Sequence, residues 1–224
     1  MVDTKAITKT VITELKRRFL GKSQYGNKEW HKADDKWYKE IHASNYLLHE
    51  NFMQYLRKKN DIQSILEIGC GTGVYPIQHS ELFKKITYTG LDISQEAIDY
   101  CKKNSNFNFI CGDFLKMEMP EKYDLVYSHA VIDHVYDIDK FISDIVQTCK
   151  KYAYINSYRG YFPQLKKHEM RWKDDDGCYY NDISVIQASE ALINTGLKEG
   201  EFLIRPQDNG KGIIQTVIEI TKKY

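Results

Sequence analysis

The stretch Glu67-Ile68-Gly69-Cys70-Gly71-Thr72-Gly73 constrains this chain more than any other. It follows a short apolar run, Ser64 to Ile68, and precedes a segment of helical character from Val74 to Lys84. Pro76 falls in the first turn of that helix, where a missing N–H is tolerated. Glycines between a strand and a helix let the backbone turn sharply and approach a ligand without a clashing Cβ. The helix behind them presents free N–H groups. Dinucleotide-binding folds use a similar loop, so the spacing has to separate the two cases. Their pattern is GxGxxG, and its third glycine lets helix and strand pack closely. Here the spacing is GxGxG, and Val74 stands where that third glycine would be. Glu67 adds a carboxylate two positions before the first glycine. That suits a ligand with a positively charged amino group better than one with a pyrophosphate.

From this loop onward, short apolar runs alternate with helical segments. Strands are expected at 64–68, 86–91, 107–111, 123–128 and 152–156. Helices are expected at 74–84, at 95–103 capped by Ser94, from Asp137 or Asp139 through Cys149, and at 183–194 closed by Gly196. Strand-helix alternation at this spacing predicts an α/β domain, a parallel sheet covered by helices on both faces. Glu201–Arg205 and Gly212–Thr221, joined by a turn-rich connection, predict a terminal antiparallel hairpin. At the other end, Ile7, Val11, Ile12, Leu15 and Phe19 form one stripe of an amphipathic helix ending at Gly21. A polar, aromatic loop and a second helix over 34–58 follow. The expected organisation is one domain: an N-terminal helical cap (1–60), a cofactor-binding core (61–157), a substrate lid (158–181) and a terminal helix with hairpin (182–224).

The glycine loop with its preceding strand resembles motif I of class I S-adenosylmethionine (SAM)-dependent methyltransferases. Three further segments agree in order and spacing: Leu91-Asp92-Ile93-Ser94, Gly112-Asp113-Phe114, and Tyr123 to His129 with Val131 to Val135, the last resembling the small-molecule branch. The resemblance covers about residues 45 to 157. It implies a Rossmann-like, seven-stranded, mostly parallel sheet, with SAM as cofactor and S-adenosylhomocysteine (SAH) as product. It also implies a set of cofactor residues: Glu67, Gly69, Cys70, Gly71, Gly73, Asp92, Ile93, Asp113, Phe114, Ser128 and His129. Asp92 would accept from both ribose hydroxyls and Asp113 from the adenine amino group. Phe114 or Ile93 would pack on the adenine ring.

Methyl transfer from a sulfonium is an in-line displacement, for which the protein supplies alignment, a dry site and in some cases a base. In a parallel sheet the site lies beyond the C-terminal strand ends. His129 follows the fourth strand of the sheet directly and has the chemistry of a general base for a hydroxyl or a protonated amine. Asp133 and His134 resemble the family's acidic-His pair after that strand, and catalysis and architecture are both open for them. No Asn-Pro-Pro-Tyr sequence occurs, which speaks against DNA adenine and protein glutamine methylation.

Substrate contacts are expected from two aromatic, polar segments. One carries Tyr25, Trp30, His31 and Tyr38. The other carries Tyr158, Arg159, Tyr161, Trp172, Tyr179 and Tyr180. Long segments of this kind inside a compact domain tend to be functional. Ring faces beside Arg and His suit a sugar or a nucleotide-linked precursor.

Composition sets limits on the rivals. A net charge of +1 gives no electrostatic case for nucleic acid, which weakens the RNA methyltransferase reading. Five cysteines without a CxxC spacing signal neither a disulfide framework nor zinc, and no metal is expected. Reduced thiols, no signal peptide and no membrane-spanning run fit a cytoplasmic monomer or homodimer acting on a small molecule. A protein methyltransferase and a non-catalytic SAM-binding module remain alternatives. The intact glycine and acidic positions argue against the latter.

Overall fold

The computed structural model describes residues 47–174 and 177–223. Most of the expected N-terminal cap, with Tyr25, Trp30, His31 and Tyr38, lies outside the described residues. The described elements begin with helix α1 (Leu47–Arg57), strand β1 (Ser64–Ile68) and the short helices α2 (Val74–Gln78) and α3 (Ser80–Phe83). Then come β2 (Thr87–Asp92), α4 (Gln95–Asn104), β3 (Asn108–Cys111), a 3₁₀ turn (Phe114–Lys116), β4 (Tyr123–His129), α5 (Ile138–Thr148) and β5 (Cys149–Ser157). A hairpin of β6 (Glu169–Lys173) and β7 (Cys178–Asp182), helix α6 (Val185–Asn194), and strands β8 (Phe202–Asp208) and β9 (Ile214–Thr221) complete the order.

Seven strands form one sheet in the order β3-β2-β1-β4-β5-β9-β8. The first five are parallel, and β9 and β8 are antiparallel. The strand order reverses between β1 and β4, which opens a crevice at their C-terminal ends. Side chains alternate across the sheet. Leu66, Val126, Ala153 and Ile155 face a core completed by α5 and α6. Ile65, Leu125, Tyr127 and Tyr154 face a second core with Phe52 and Met53 of α1 and Ile98 of α4. Helix starts are fixed by side chains, as expected for Ser94 in α4 (Ala97 N–H to Oγ, 3.2 Å), and likewise Asp137 in α5 and Ser184 in α6.

Four local readings change. The helix expected over 74–84 breaks at His79 (φ −114°, ψ 36°) into α2 and α3. The expected lid at 158–181 is no open loop, because its second half pairs as the β6–β7 hairpin. β5 starts three residues early, at Cys149. Pro206, read as part of a turn, lies within β8. β8 is the sheet's edge strand, where a residue without an N–H is tolerated.

Candidate active site

A cavity of about 440 Å³ lies in the crevice between β1 and β4. Its floor is the glycine loop. Gly69, Gly71 and Gly73 all have positive φ, at 74°, 50° and 66°. Gly69 needs to be glycine for a second reason: a Cβ there would sit 2.1 Å from Cγ2 of Val131. Val131 is brought in by Ala130, the one non-glycine residue with positive φ (58°) among the described residues. The chain thus leaves β4 by a strained turn and folds back over the loop, an arrangement common at functional sites.

Asp92, at the end of β2, organises the loop. One carboxylate oxygen accepts from the Gly71 N–H (2.8 Å) and the other from the Ser94 N–H (2.8 Å). Burial raises its carboxyl above the usual range, while these backbone bonds oppose the rise. Glu67 is 3% exposed and accepts a short hydrogen bond from Tyr88. Burial pushes its carboxyl up to about 8, against the lowering effect of bonds from Tyr127 and Tyr88. Three acidic residues, Glu67, Asp92 and Asp113, line a cavity whose described lining has no Lys or Arg, and a cationic ligand would favour their ionised forms. Such a lining suits a ligand with positive charge.

Asp113 caps the 3₁₀ turn through the Leu115 N–H (3.1 Å) and accepts from Tyr136 (3.2 Å). With Ile93, Gly112 and Phe114 it forms the cavity's far wall. Phe114 is buried edge-on against Phe141 at 5.8 Å, so it serves the core and the wall together. Of the expected cofactor residues, Glu67, Gly69, Cys70, Gly71, Asp92, Ile93, Asp113, Phe114 and His129 line the cavity. Gly73 and Ser128 do not. Gly73 turns toward Cys101 and Phe109. Ser128 is fully buried, in register between Ile68 and Ile155 within the sheet.

The opposite wall carries the candidate bases. His129 Nδ1 lies 3.0 Å from the hydroxyl of Tyr75, a buried cavity residue that sequence reasoning passed over. Its signal was its position, two residues past Gly73 in the first turn of α2. His134 lines the cavity with Tyr158. His134 Nδ1 is 2.7 Å from the Tyr179 carbonyl, which can only accept, so this nitrogen carries the proton. Nε2 then faces the Tyr158 hydroxyl at 3.2 Å. Burial, with Asp133 close by, pushes that phenol up to about 12.

Asp133 lies outside the cavity lining and is fully buried. Its carboxylate accepts from Ser157 Oγ (2.6 Å) and the Tyr158 and Arg159 N–H groups (3.4 and 3.2 Å). Burial pushes it up to about 7 against those bonds. This geometry makes Asp133 the anchor of the turn after β5. Among the expected lid residues, only Tyr158 reaches the cavity wall. Arg159 pairs with Asp182 (3.3 Å) and stands over the Tyr180 ring at 5.2 Å. Trp172 meets Tyr179 across the hairpin at 5.0 Å. Tyr161 is not in the lining. The hairpin is pinned by the fully buried Asn181, whose Nδ2 donates to the Ile132 and Val135 carbonyls (2.9 and 2.8 Å). It therefore braces the segment that carries His134.

A family model described as a methyltransferase domain matches residues 59–215. Malonyl-[acyl-carrier protein] O-methyltransferase of Bacillus anthracis is 33% identical over 84 residues, 36% of this chain and 31% of that protein. Fatty-acid O-methyltransferase of Mycolicibacterium smegmatis is 28% identical over 94 residues, 40% and 34% of the two chains. These matches thus span about a third of the curated relatives' length. Among solved structures, magnesium protoporphyrin IX methyltransferase from Synechocystis PCC 6803 with bound SAM superposes with a TM-score of 0.57. The identity is 14%, and 79% of each chain is covered. A putative SAM-dependent methyltransferase from Listeria monocytogenes gives 0.58 at 14% identity, covering 77% of this chain and 98% of that one.

Proposed function

The chain belongs to the methyltransferase domain family, of the class I SAM-dependent kind, and from that premise we propose that it methylates an oxygen or nitrogen of a polar small molecule. The carrying observation is one cavity that joins the glycine loop, the acidic side chains of Glu67, Asp92 and Asp113, and His129. In this reading Glu67 meets the ammonium of SAM, Asp92 the ribose hydroxyls, and Asp113 with Ile93 and Phe114 the adenine. When bound, SAM supplies an electrophilic methyl group on a sulfonium. The chain's own part is to hold that methyl in line with an acceptor, to keep water out, and to remove the acceptor's proton.

His129 is our candidate for the last task, with Tyr75 fixing its ring through Nδ1. Tyr158, held by His134, is our candidate for orienting the acceptor. The finer reading of a sugar or nucleotide-linked acceptor rests on the hydrogen-bonding groups of Tyr158 and His134 in the wall. A second reading, a carboxylate acceptor, is favoured by the relatives named for malonyl-carrier and fatty-acid O-methylation. The two differ in their need for a base, because a carboxylate is already ionised at neutral pH.

Methyl-labelled SAM offered with hydroxyl, amine and carboxylate small molecules tests both. With a hydroxyl or amine acceptor, His129→Ala lowers turnover by about 10²–10⁴-fold. With a carboxylate acceptor, turnover stays within about tenfold, because no base is needed. Label transfer to none of the three classes by SAM-saturated protein would refute the proposal.

A further inference from the structure

A second cavity, of about 580 Å³, lies between α1 and β8 and shares no lining residue with the first. Phe52 stands between them, its ring 6.5 Å from Tyr55 on one side and 5.1 Å from Tyr75 on the other. The lining of the second cavity is polar and its charges are unevenly spent. Glu219 accepts from both Nε and Nη2 of Arg205 (2.9 and 2.6 Å). Asp208 accepts from the Gly210 N–H (2.7 Å). Glu219 is therefore paired with a cation, and Asp208 is held within its own turn. Lys58 and Lys59 have no carboxylate partner among the described residues. The Lys59 ammonium stands over the rings of Tyr55 and Tyr152, at 5.0 and 4.3 Å.

Two polar atoms of the same lining are buried without a hydrogen bond: the Tyr55 hydroxyl and Nε2 of Gln207. Gln207 Oε1 is used by the Tyr154 hydroxyl at 3.4 Å, so the side chain is oriented with its donor end left over. Burial, and then the nearby Glu219, hold the Tyr55 phenol far above its ordinary range, so it remains a donor at every relevant pH. Buried donors without acceptors are rare in folded proteins and call for a partner. Two cations without a carboxylate partner among the described residues, beside two buried donors without a hydrogen bond, define the partner's chemistry.

We propose that the cavity between α1 and β8 is a second binding site, for a small molecule that carries an oxyanion, either a phosphate or a carboxylate. Lys58 and Lys59 supply charge, and Tyr55 and Gln207 supply the buried hydrogen bonds. The site is independent of the cofactor cavity and of the methyl-transfer reading.

Titration of the full chain with inorganic phosphate and, separately, with malonate, followed by NMR of the Gln207 side-chain amide, tests this. Sodium chloride at matched ionic strength is the control. Saturable shifts with phosphate alone identify a phosphate site, with malonate alone a carboxylate site, and with both a general oxyanion site. Affinity falls about tenfold or more in the surface double variant K58A/K59A and in Gln207→Leu, since losing one charge-assisted bond is worth that much. SAH affinity, measured on the same variants, stays unchanged, which separates failure here from failure of the cofactor reading. Shifts that never saturate or that chloride reproduces would overturn the proposal. So would saturable binding that survives in both variants.

Discussion

Replacing Glu67 with Gln removes a carboxyl that burial pushes from an ordinary 4.5 up to about 8, while keeping an acceptor for Tyr88. In the folded protein the neutral acid is favoured, so between pH 4.5 and 8 the folded state holds a proton that the unfolded chain has released. The associated stability is full below the unfolded value and is lost as pH rises through the folded one. At about 1.4 kcal/mol per pH unit, a rise of that size sets a ceiling of roughly 5 kcal/mol. Urea denaturation of wild type and Glu67→Gln at intervals from pH 5 to 9, at fixed ionic strength, reads this directly. Wild type loses stability across the range, partly through Glu67 and partly through Asp133, whose carboxyl burial raises to about 7 in both proteins. The variant lacks the Glu67 part, so the difference between the curves moves in its favour by several kcal/mol toward pH 9. Parallel curves would refute the reasoning and mean that Glu67 is ionised throughout.

Gly69→Ala should abolish SAH binding and cost about 2–4 kcal/mol by urea denaturation, because the new Cβ meets Val131 at 2.1 Å and the residue sits at φ 74°. Adding Val131→Ala should recover only part of the loss, since it relieves the contact and not the backbone. Asn181→Ala should destabilise by about 2–4 kcal/mol, leaving two buried carbonyls unmet. Its KM for the acceptor should rise more than its SAH dissociation constant, because the segment it pins carries His134.

The parts of this molecule that were legible in sequence are those where one residue type meets one backbone demand. Positive φ at the strand-helix turn asks for Gly69, Gly71 and Gly73. Strands covered on both faces ask for apolar runs such as Ile65-Leu66 and Val126-Tyr127. Asp92 and Asp113 were legible through the resemblance of Leu91-Asp92-Ile93-Ser94 and Gly112-Asp113-Phe114 to the family's strand-end segments. What was hidden depends on contacts across the chain. The strand Glu169–Lys173 alternates Met170 and Trp172 with charged residues, but it is only five residues long and mostly exposed, and the hairpin is held by Asn181 reaching back to residues 132–135. Tyr75 looks like any aromatic in a helix until the fold brings His129, 54 positions away, to its hydroxyl. Ser128 has a position that suits a ligand contact, yet it is fully buried on one face of the sheet and outside the cavity lining. The aromatic segment at 158–181 was read as a binding surface from composition, but of its expected contacts only Tyr158 reaches the cavity, while Trp172 and Tyr179 meet across the hairpin.

Isothermal titration of the full chain with SAH, for wild type and Asp92→Ala, tests the cofactor assignment most directly. One site per chain is expected for wild type. Affinity should fall about a hundredfold or more in the variant, which loses both the proposed ribose acceptor and the bond that shapes the loop at Gly71. No binding heat with wild type across several buffers, or equal affinity in the two proteins, would contradict the assignment of the glycine-loop cavity to SAM.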